Sequence, residues 1–182
     1  MSGIFGAVTK NGCAENLMYG ADYHSHLGTE FGGIALYGEN FERRIHALGQ
    51  FQFKAKFYEE VQTMRGNKGI SVVSSLDEQP IFLNSKFGPF CLVTDGFIEN
   101  AEILLEELRA AGVSFAEYSK RGVNQTELVA KLINQHDSIV EGIEKMFDRI
   151  TGSCSLLLLT PEGIYAARDR KGYSPLVIGK ND

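Results

Sequence analysis

The sequence has little cysteine and no paired arrangement of it. Its 182 residues include only Cys13, Cys91 and Cys154, an odd and widely spaced set without a CxxC pair. This pattern argues against a disulfide framework or a zinc site and fits a reducing cytosol. We expect each cysteine to be a small core residue. The four histidines have no carboxylate or cysteine at ligand spacing, so neither a metal nor a cofactor is expected.

Long apolar runs and a basic stripe are also missing. The longest apolar run, residues 156–159, is far shorter than the ~20 residues that cross a bilayer. The opening Met-Ser-Gly-Ile-Phe-Gly lacks the charged start and apolar stretch of a signal peptide. The formal net charge is −5, and the 18 basic side chains are scattered. Nucleic-acid binding would need a basic surface, so we expect a soluble, cytoplasmic protein that binds neither nucleic acid nor membrane.

Strand-like and helix-like segments follow each other without a linker, a low-complexity tract or a repeat. This predicts a single domain over residues 1–182. Residue spacing predicts strands over 4–8, 33–37, 44–48, 69–74, 90–94, 153–160, 164–168 and 175–178. Helices are predicted from Ala101 to a stop at Gly112, after the capping residue Asn124, and over 138–150.

The order of strands, then helices, then strands again predicts an α+β layered domain. Asn124 and Glu127 match a capping box, in which Asn124 accepts from the first free N–H groups and Glu127 reaches back. Arg168 and Asp169 are interpreted as a structural ion pair or turn anchor. We also expect the N-terminal and C-terminal strands to share a sheet, which would hold residue 2 firmly.

The start of the chain carries the strongest suggestion of a function. If the initiator Met is removed, the chain begins Ser2-Gly-Ile-Phe-Gly. This resembles the class II glutamine amidotransferases, whose mature chains open with Cys-Gly-Ile-Phe-Gly. In that family the terminal thiol attacks the glutamine side-chain amide. The terminal α-amine, with a pKa of about 8, serves as its base. The resemblance implies that Ser2 stands at the nucleophile position.

Further segments match the same family in the same order along essentially the whole chain. They lie at residues 26–35, 65–70, 79–80, 95–102, 124–127 and 165–179. The similarity is greatest to amidophosphoribosyltransferases of purine synthesis. It implies a four-layer αββα sandwich of the N-terminal-nucleophile hydrolase type, with two antiparallel sheets between helix layers. It also implies glutamine or a related small molecule as ligand, a phosphoribosyltransferase domain C-terminal to this one, and possible homo-oligomers.

Several positions that the family's chemistry needs hold unsuitable residues. The resemblance places Asp95 and Gly96 at the oxyanion-hole positions, where the Asp95 carboxylate accepts instead of donating and the Gly96 N–H can still donate. Ser74 falls at the arginine that clamps the glutamine α-carboxylate, and Gln125 at the aspartate that pairs with the α-ammonium. Leu27 likewise replaces an arginine.

Three functions are therefore compatible with the sequence. The first is an impaired glutaminase that releases ammonia for transfer to a phosphoribosyl acceptor. The second is a catalytically degenerate pseudo-glutaminase that binds a ligand or has a regulatory role. The third is an N-terminal-serine amidohydrolase acting on another amide. Because nucleophile, clamp, oxyanion donor and ammonium partner all differ from the family pattern, the sequence favours a pocket that has lost its original reaction.

Overall fold

Two antiparallel four-stranded sheets form the centre of the molecule. The computed structural model describes residues 2–119 and 122–180. The first sheet has the order β1-β4-β2-β3, with β1 Ser2–Val8, β2 Phe31–Tyr37, β3 Phe41–Ala47 and β4 Lys68–Ser74. The second has the order β10-β9-β6-β5, with β5 Ile81–Ser85, β6 Gly88–Ile98, β9 Gly152–Leu159 and β10 Ile164–Arg168. The short strands β7 Tyr118–Ser119 and β8 Gly122–Val123 pair antiparallel in a separate two-stranded sheet.

Helices cover the outer face of each sheet. The helices are α1 Ala14–Tyr23, α2 Phe53–Val61, α3 Ala101–Ala110, α4 Gln125–Ile133 and α5 Ile139–Arg149. One apolar cluster joins α1 and α2 to the first sheet, and another joins α3, α4 and α5 to the second. The predicted four-layer αββα sandwich is confirmed. None of the five helices, within the described ranges, is both long and apolar enough to cross a bilayer.

A third apolar cluster fills the space between the two sheets. Its buried members are Ala35, Ile70, Val72, Cys91, Val93, Leu157 and Leu159. Side chains alternate along a strand, so Leu156 and Leu158 face the helix layer while Leu157 and Leu159 face the other sheet. An apolar run on β9 therefore marks a strand that is buried on both faces.

The first strand is held along its whole length by β4. The register runs from Ser2 opposite Ser74 to Val8 opposite Lys68. The expectation that the N-terminal and C-terminal strands share a sheet is wrong, because β9 and β10 lie in the second sheet. Residue 2 is nonetheless firmly placed, by pairing with β4 instead.

The strand predicted over 175–178 is also wrong, since this segment forms no ladder. Only Leu176 packs against the core between the sheets, whereas Val177 and Ile178 are 89% and 83% exposed. An apolar run this short does not distinguish a strand from an extended segment with a single inward side chain. The prediction also omitted α1, α2 and β5, and β6 extends well beyond the 90–94 expected.

Two local predictions can be compared with the contacts. Asn124 Oδ1 accepts from the N–H groups of Thr126 and Glu127, both at 3.1 Å, which confirms the cap. The Glu127 carboxylate does not complete the box; it accepts from the N–H groups of Ala116 and Glu117 at 2.9 and 2.8 Å. Asp169 is confirmed as a turn anchor: its carboxylate accepts from the N–H groups of Cys154 and Gly172, at 3.0 and 2.8 Å.

Candidate active site

A small cavity forms where the start of β1, the end of β6 and the start of α4 meet. Four of the five residues predicted for the site line it, namely Ser2, Asp95, Gly96 and Gln125. The remaining lining residues are Leu76, Asp77, Gln79, Thr94, Ile98, Ser153 and Cys154. Its volume is about 20 Å³, which is room for about one water molecule. The fold thus brings Ser2, at the start of the chain, together with residues 95, 96 and 125.

Ser2 lies against the Asp95 carboxylate. The Ser2 backbone nitrogen donates to Asp95 Oδ1 at 2.7 Å, and Ser2 is 7% exposed. Asp95 is half-buried on β6, opposite Ser155 of β9. This contact joins the edge strand of the first sheet to the second sheet at the cavity.

Gly96 lies beside that carboxylate, and its backbone N–H and C=O face the cavity; this pair of groups is its open peptide unit. Its φ is +139°, and a Cβ there would overlap the Ser153 carbonyl oxygen, so only glycine fits. Backbone groups alternate along a strand, and those of Thr94 and Ile98 point away from β9. The Gly96 N–H and C=O therefore point the same way, towards the cavity that this residue lines.

The Gln125 side chain is committed to the protein backbone. Its Oε1 accepts from the Ile98 N–H at 2.9 Å, and its Nε2 donates to the Ile98 carbonyl at 3.1 Å. Its own backbone N–H donates to Asp77 Oδ2 at 2.9 Å. The resemblance placed Gln125 where a ligand ammonium would bind, but to contact a ligand with its side-chain oxygen it would first have to release Ile98.

Ser74 is the one predicted site residue that does not line the cavity. It is fully buried at the end of β4, opposite Ser2, and its Oγ accepts from the N–H groups of Leu76 and Asp77, both at 3.2 Å. The hydroxyl therefore shapes the turn after β4. None of the cavity-lining residues in the described ranges is Lys or Arg. No other cation there takes the place of the arginine that the family resemblance puts at position 74.

Gln79 is a site residue that the sequence interpretation did not assign. It is 3% exposed, its Oε1 accepts from the Thr94 N–H at 2.8 Å, and its Nε2 donates to the Thr94 carbonyl at 3.2 Å. Its only signal in the sequence was the Gln79-Pro80 pair of the family resemblance. Asp77, which is 6% exposed, was also missed.

The cysteine that lines the cavity is not a second nucleophile. Burial raises the pKa of Cys154 to about 12, and the neighbouring Asp169 and Asp95 carboxylates add to that rise. The thiolate is the reactive form, so this thiol is inert near neutral pH. All three cysteines are buried and free, as expected from their spacing. No three His, Cys, Asp or Glu side chains of residues 2–119 and 122–180 group together in a way that could hold a metal ion.

Comparison with known proteins agrees with this architecture. The chain is 29% identical to the amidophosphoribosyltransferase of Methanocaldococcus jannaschii, over 100% of this chain and 40% of that protein. It is 30% identical to the glutamine–fructose-6-phosphate aminotransferase of Haemophilus influenzae, over 98% of this chain and 30% of that protein. The chain thus spans well under half the length of these relatives.

Solved structures show the same fold. The glutamine phosphoribosylpyrophosphate amidotransferase of Bacillus subtilis, complexed with ADP and GMP, superposes with a TM-score of 0.78 at 22% identity. The match covers 93% of this chain and 37% of that one. A family model described as a glutamine amidotransferase domain matches residues 67–182. That match extends over more than half of the sequence and confirms the predicted resemblance, so the chain belongs to the glutamine amidotransferase domain family.

Proposed function

We propose that this is the glutaminase-type domain of an amidophosphoribosyltransferase-like protein, that its hydrolysis of glutamine is impaired, and that it acts mainly as a ligand-binding or regulatory module. The observation that carries the proposal is the 2.7 Å contact between the Ser2 nitrogen and Asp95 Oδ1. The two groups that meet there are the ones on which the reaction depends. Once Met1 is removed, one is the α-amine that would serve as base, and the other stands where an oxyanion donor is needed.

The contact weakens the base. In a chain with Met1 removed, the Ser2 nitrogen is an α-amine that must accept the proton of its own hydroxyl. A carboxylate at hydrogen-bonding distance favours the protonated ammonium, because opposite charges stabilise each other. An ammonium cannot accept a proton. Ser2 thus combines an alcohol, a poorer nucleophile than a thiol, with a base that is already occupied.

The same carboxylate opposes the next step. Attack on an amide moves negative charge onto its oxygen, which needs hydrogen-bond donors aimed at it. The Gly96 N–H offers one donor, while Asp95 offers negative charge. Loss of one oxyanion-hole donor costs about 2.7–4 kcal/mol of transition-state stabilisation, or roughly 10²–10³ in rate.

Ligand binding is weakened where the amino-acid end of glutamine would lie. The Ser74 hydroxyl accepts hydrogen bonds from two backbone N–H groups. A hydroxyl cannot replace the two parallel, charged hydrogen bonds that an arginine donates to a carboxylate. The proposed partner is a phosphoribosyltransferase segment beyond residue 182. This rests on the resemblance and on the names of relatives such as the amidophosphoribosyltransferase of Methanocaldococcus jannaschii.

The test is glutamate release from L-glutamine by chains with Met1 removed, as verified by mass. The variants are the parent, Ser2→Cys, Asp95→Asn and the double variant. We expect little or no turnover by the parent and by either single variant, and at least about 10²-fold more by the double variant, since one donor is restored beside a better nucleophile.

The matched control is Glu99→Gln, which removes one carboxylate at an exposed position just beyond β6. It should leave the rate unchanged in the Ser2→Cys background. Turnover by the parent comparable to that of the double variant would contradict the proposed impairment. An inactive double variant that fails to bind glutamine would place the defect at the Ser74 and Gln125 positions instead.

A further inference from the structure

Two glutamine side chains pair with β6 in the same two-point manner. Each carboxamide oxygen accepts from a backbone N–H, and each carboxamide nitrogen donates to the carbonyl of the same residue. Gln79 pairs in this way with Thr94, at 2.8 and 3.2 Å. Gln125 pairs with Ile98, at 2.9 and 3.1 Å. Each carboxamide thus stands in for the peptide unit of a neighbouring strand.

These side chains occupy the part of β6 that β5 leaves uncovered. The β5–β6 ladder runs only from Ser85 opposite Gly88 to Ile81 opposite Leu92. Before Ile81 the chain departs from β6, and the Gln79 carbonyl oxygen lies over Gly33 of the first sheet. A backbone ladder continued along β6 would have covered every second residue, including Gly96. The two glutamine side chains instead bond only with the backbone of Thr94 and Ile98 on this part of β6.

Gly96 lies midway between the two paired residues. Its N–H and C=O face the same edge as those of Thr94 and Ile98, and its ladder partner Cys154 bonds with Asp169 through its own N–H and C=O instead. Its φ of +139° belongs to a region that glycine reaches easily and leaves as easily. An unbraced glycine would therefore sample several orientations of its peptide unit.

We propose that Gln79 and Gln125 are positioning residues: they brace β6 on both sides of Gly96 and so hold its open peptide unit facing the cavity. Gln125 is thereby reassigned from a ligand contact to a brace, and Gln79 joins it in that role. The relevance to ligand binding rests on the proposed function. The bracing itself does not depend on any ligand.

The two glutamines approach β6 from different parts of the fold. Gln79 belongs to the segment between β4 and β5, which passes over the first sheet. Gln125 is the first residue of α4, where Asn124 caps the helix and Asp77 accepts the Gln125 N–H. The position of Gly96 is thus set jointly by the first sheet and by the helix layer of the second.

The experiment compares the parent with Gln79→Met, Gln125→Met and the control Gln135→Met. Methionine keeps the length of the side chain and loses both hydrogen bonds. Gln135 is exposed, and its Oε1 accepts from Arg149, away from the cavity. Heteronuclear NMR on labelled full-length chains gives the backbone order parameter of Gly96. Amide exchange at Thr94 and Ile98 reports whether each brace is lost.

We expect the Gly96 order parameter to fall from about 0.85, typical of rigid backbone, towards 0.6 or below in either brace variant and to stay unchanged in Gln135→Met. Faster exchange at Thr94 or Ile98 with a still rigid Gly96 would overturn the proposal. If the Met variants do not fold, Gln79→Glu and Gln125→Glu keep the bond from the N–H and lose the one to the carbonyl. They should give a smaller fall, and no fall would overturn the proposal.

Titration with L-glutamine separates the two ideas. A shift of the Gly96 amide resonance in the parent, reduced in the brace variants, is the result expected when both hold. If the parent shows no shift at any glutamine concentration, glutamine binding fails. The order parameters measured without ligand then still decide whether the brace exists.

Discussion

The Gln79 carbonyl oxygen lies so close to Gly33 that a Cβ on Gly33 would overlap it. The Pro80 ring crowds the same point. Gly33 is on β2 of the first sheet, whereas Gln79 leads into β5 of the second. Because residue 33 has no side chain, the segment after β4 can cross the first sheet at this point. The Gln79 side chain then reaches Thr94 of the second sheet.

Replacing Gly33 by alanine should destabilise the fold. The added methyl group meets backbone, which cannot move aside as a side-chain tip can, and overpacking of this kind costs about 1–3 kcal/mol. Urea unfolding of Gly33→Ala would measure the loss. Gly163→Ala is the matched control, because a Cβ there meets open space, and it should stay within about 0.5 kcal/mol of the parent. Equal stabilities of the two variants would contradict the close approach.

Replacing Asn124 by alanine should cost more than the same change at Ser138. Asn124 is fully buried, caps α4 through two N–H groups, and donates to the Glu78 carbonyl at 3.0 Å. Ser138 caps α5 through one N–H, at 3.2 Å in an exposed position. Loss of an N-cap costs about 0.5–2 kcal/mol, so we expect Asn124→Ala at or above the upper end and Ser138→Ala near the lower end. Thermal unfolding of both variants would test this order, and the reverse order would contradict it.

Stability should fall in alkaline solution because the thiols are buried. Desolvation is the main cause that raises the pKa of Cys13 to about 11 and those of Cys91 and Cys154 to about 12, from an ordinary 9.0. Well below pH 9 the thiols are protonated in both states, so they add no pH dependence there. Above it the unfolded chain loses protons that the folded chain keeps. Each thiol then lowers the free energy of unfolding by up to about 1.4 kcal/mol per pH unit, until its folded pKa is reached.

Urea unfolding at pH 7.5 and pH 10, with reductant present, measures this loss. Comparison with Cys91→Ala removes the contribution of other titrating groups, because only the thiol differs. The decline between the two pH values should be smaller in Cys91→Ala than in the parent. Identical declines would show that Cys91 ionises equally in both states.

The sequence predicts the family, the layered fold and most of the cavity residues, because the motifs recur in a fixed order along the chain. Ser2, Asp95, Gly96 and Gln125 are placed by that order alone. The motif order could not predict where the Ser74 hydroxyl lies. This hydroxyl accepts from the N–H groups of Leu76 and Asp77, and their positions depend on the turn that follows β4. A motif assigns a position, while local hydrogen bonding decides where the side chain points.

The braces could not be predicted for a related reason. A glutamine that replaces a strand neighbour has no periodic signature, because its two bonds go to a residue 15 or 27 positions away. The strand prediction over 175–178 was wrong for the opposite reason. The apolar residues there give a local strand signal, but within the described residues no neighbouring strand pairs with them. Pairing partners are set by the tertiary arrangement, which a single apolar run does not encode.

The pairing of Ser2 with Ser74 changes what the beginning of this chain tolerates. In most domains the first residues can be trimmed or extended freely. Here Ser2 is 7% exposed, lines the cavity and directs its nitrogen to Asp95, so a fusion placed before it would keep that nitrogen an amide and leave the site without an α-amine. Purification tags for the experiments above therefore belong at the C-terminal end, and loss of a single residue after Met1 would remove part of the site.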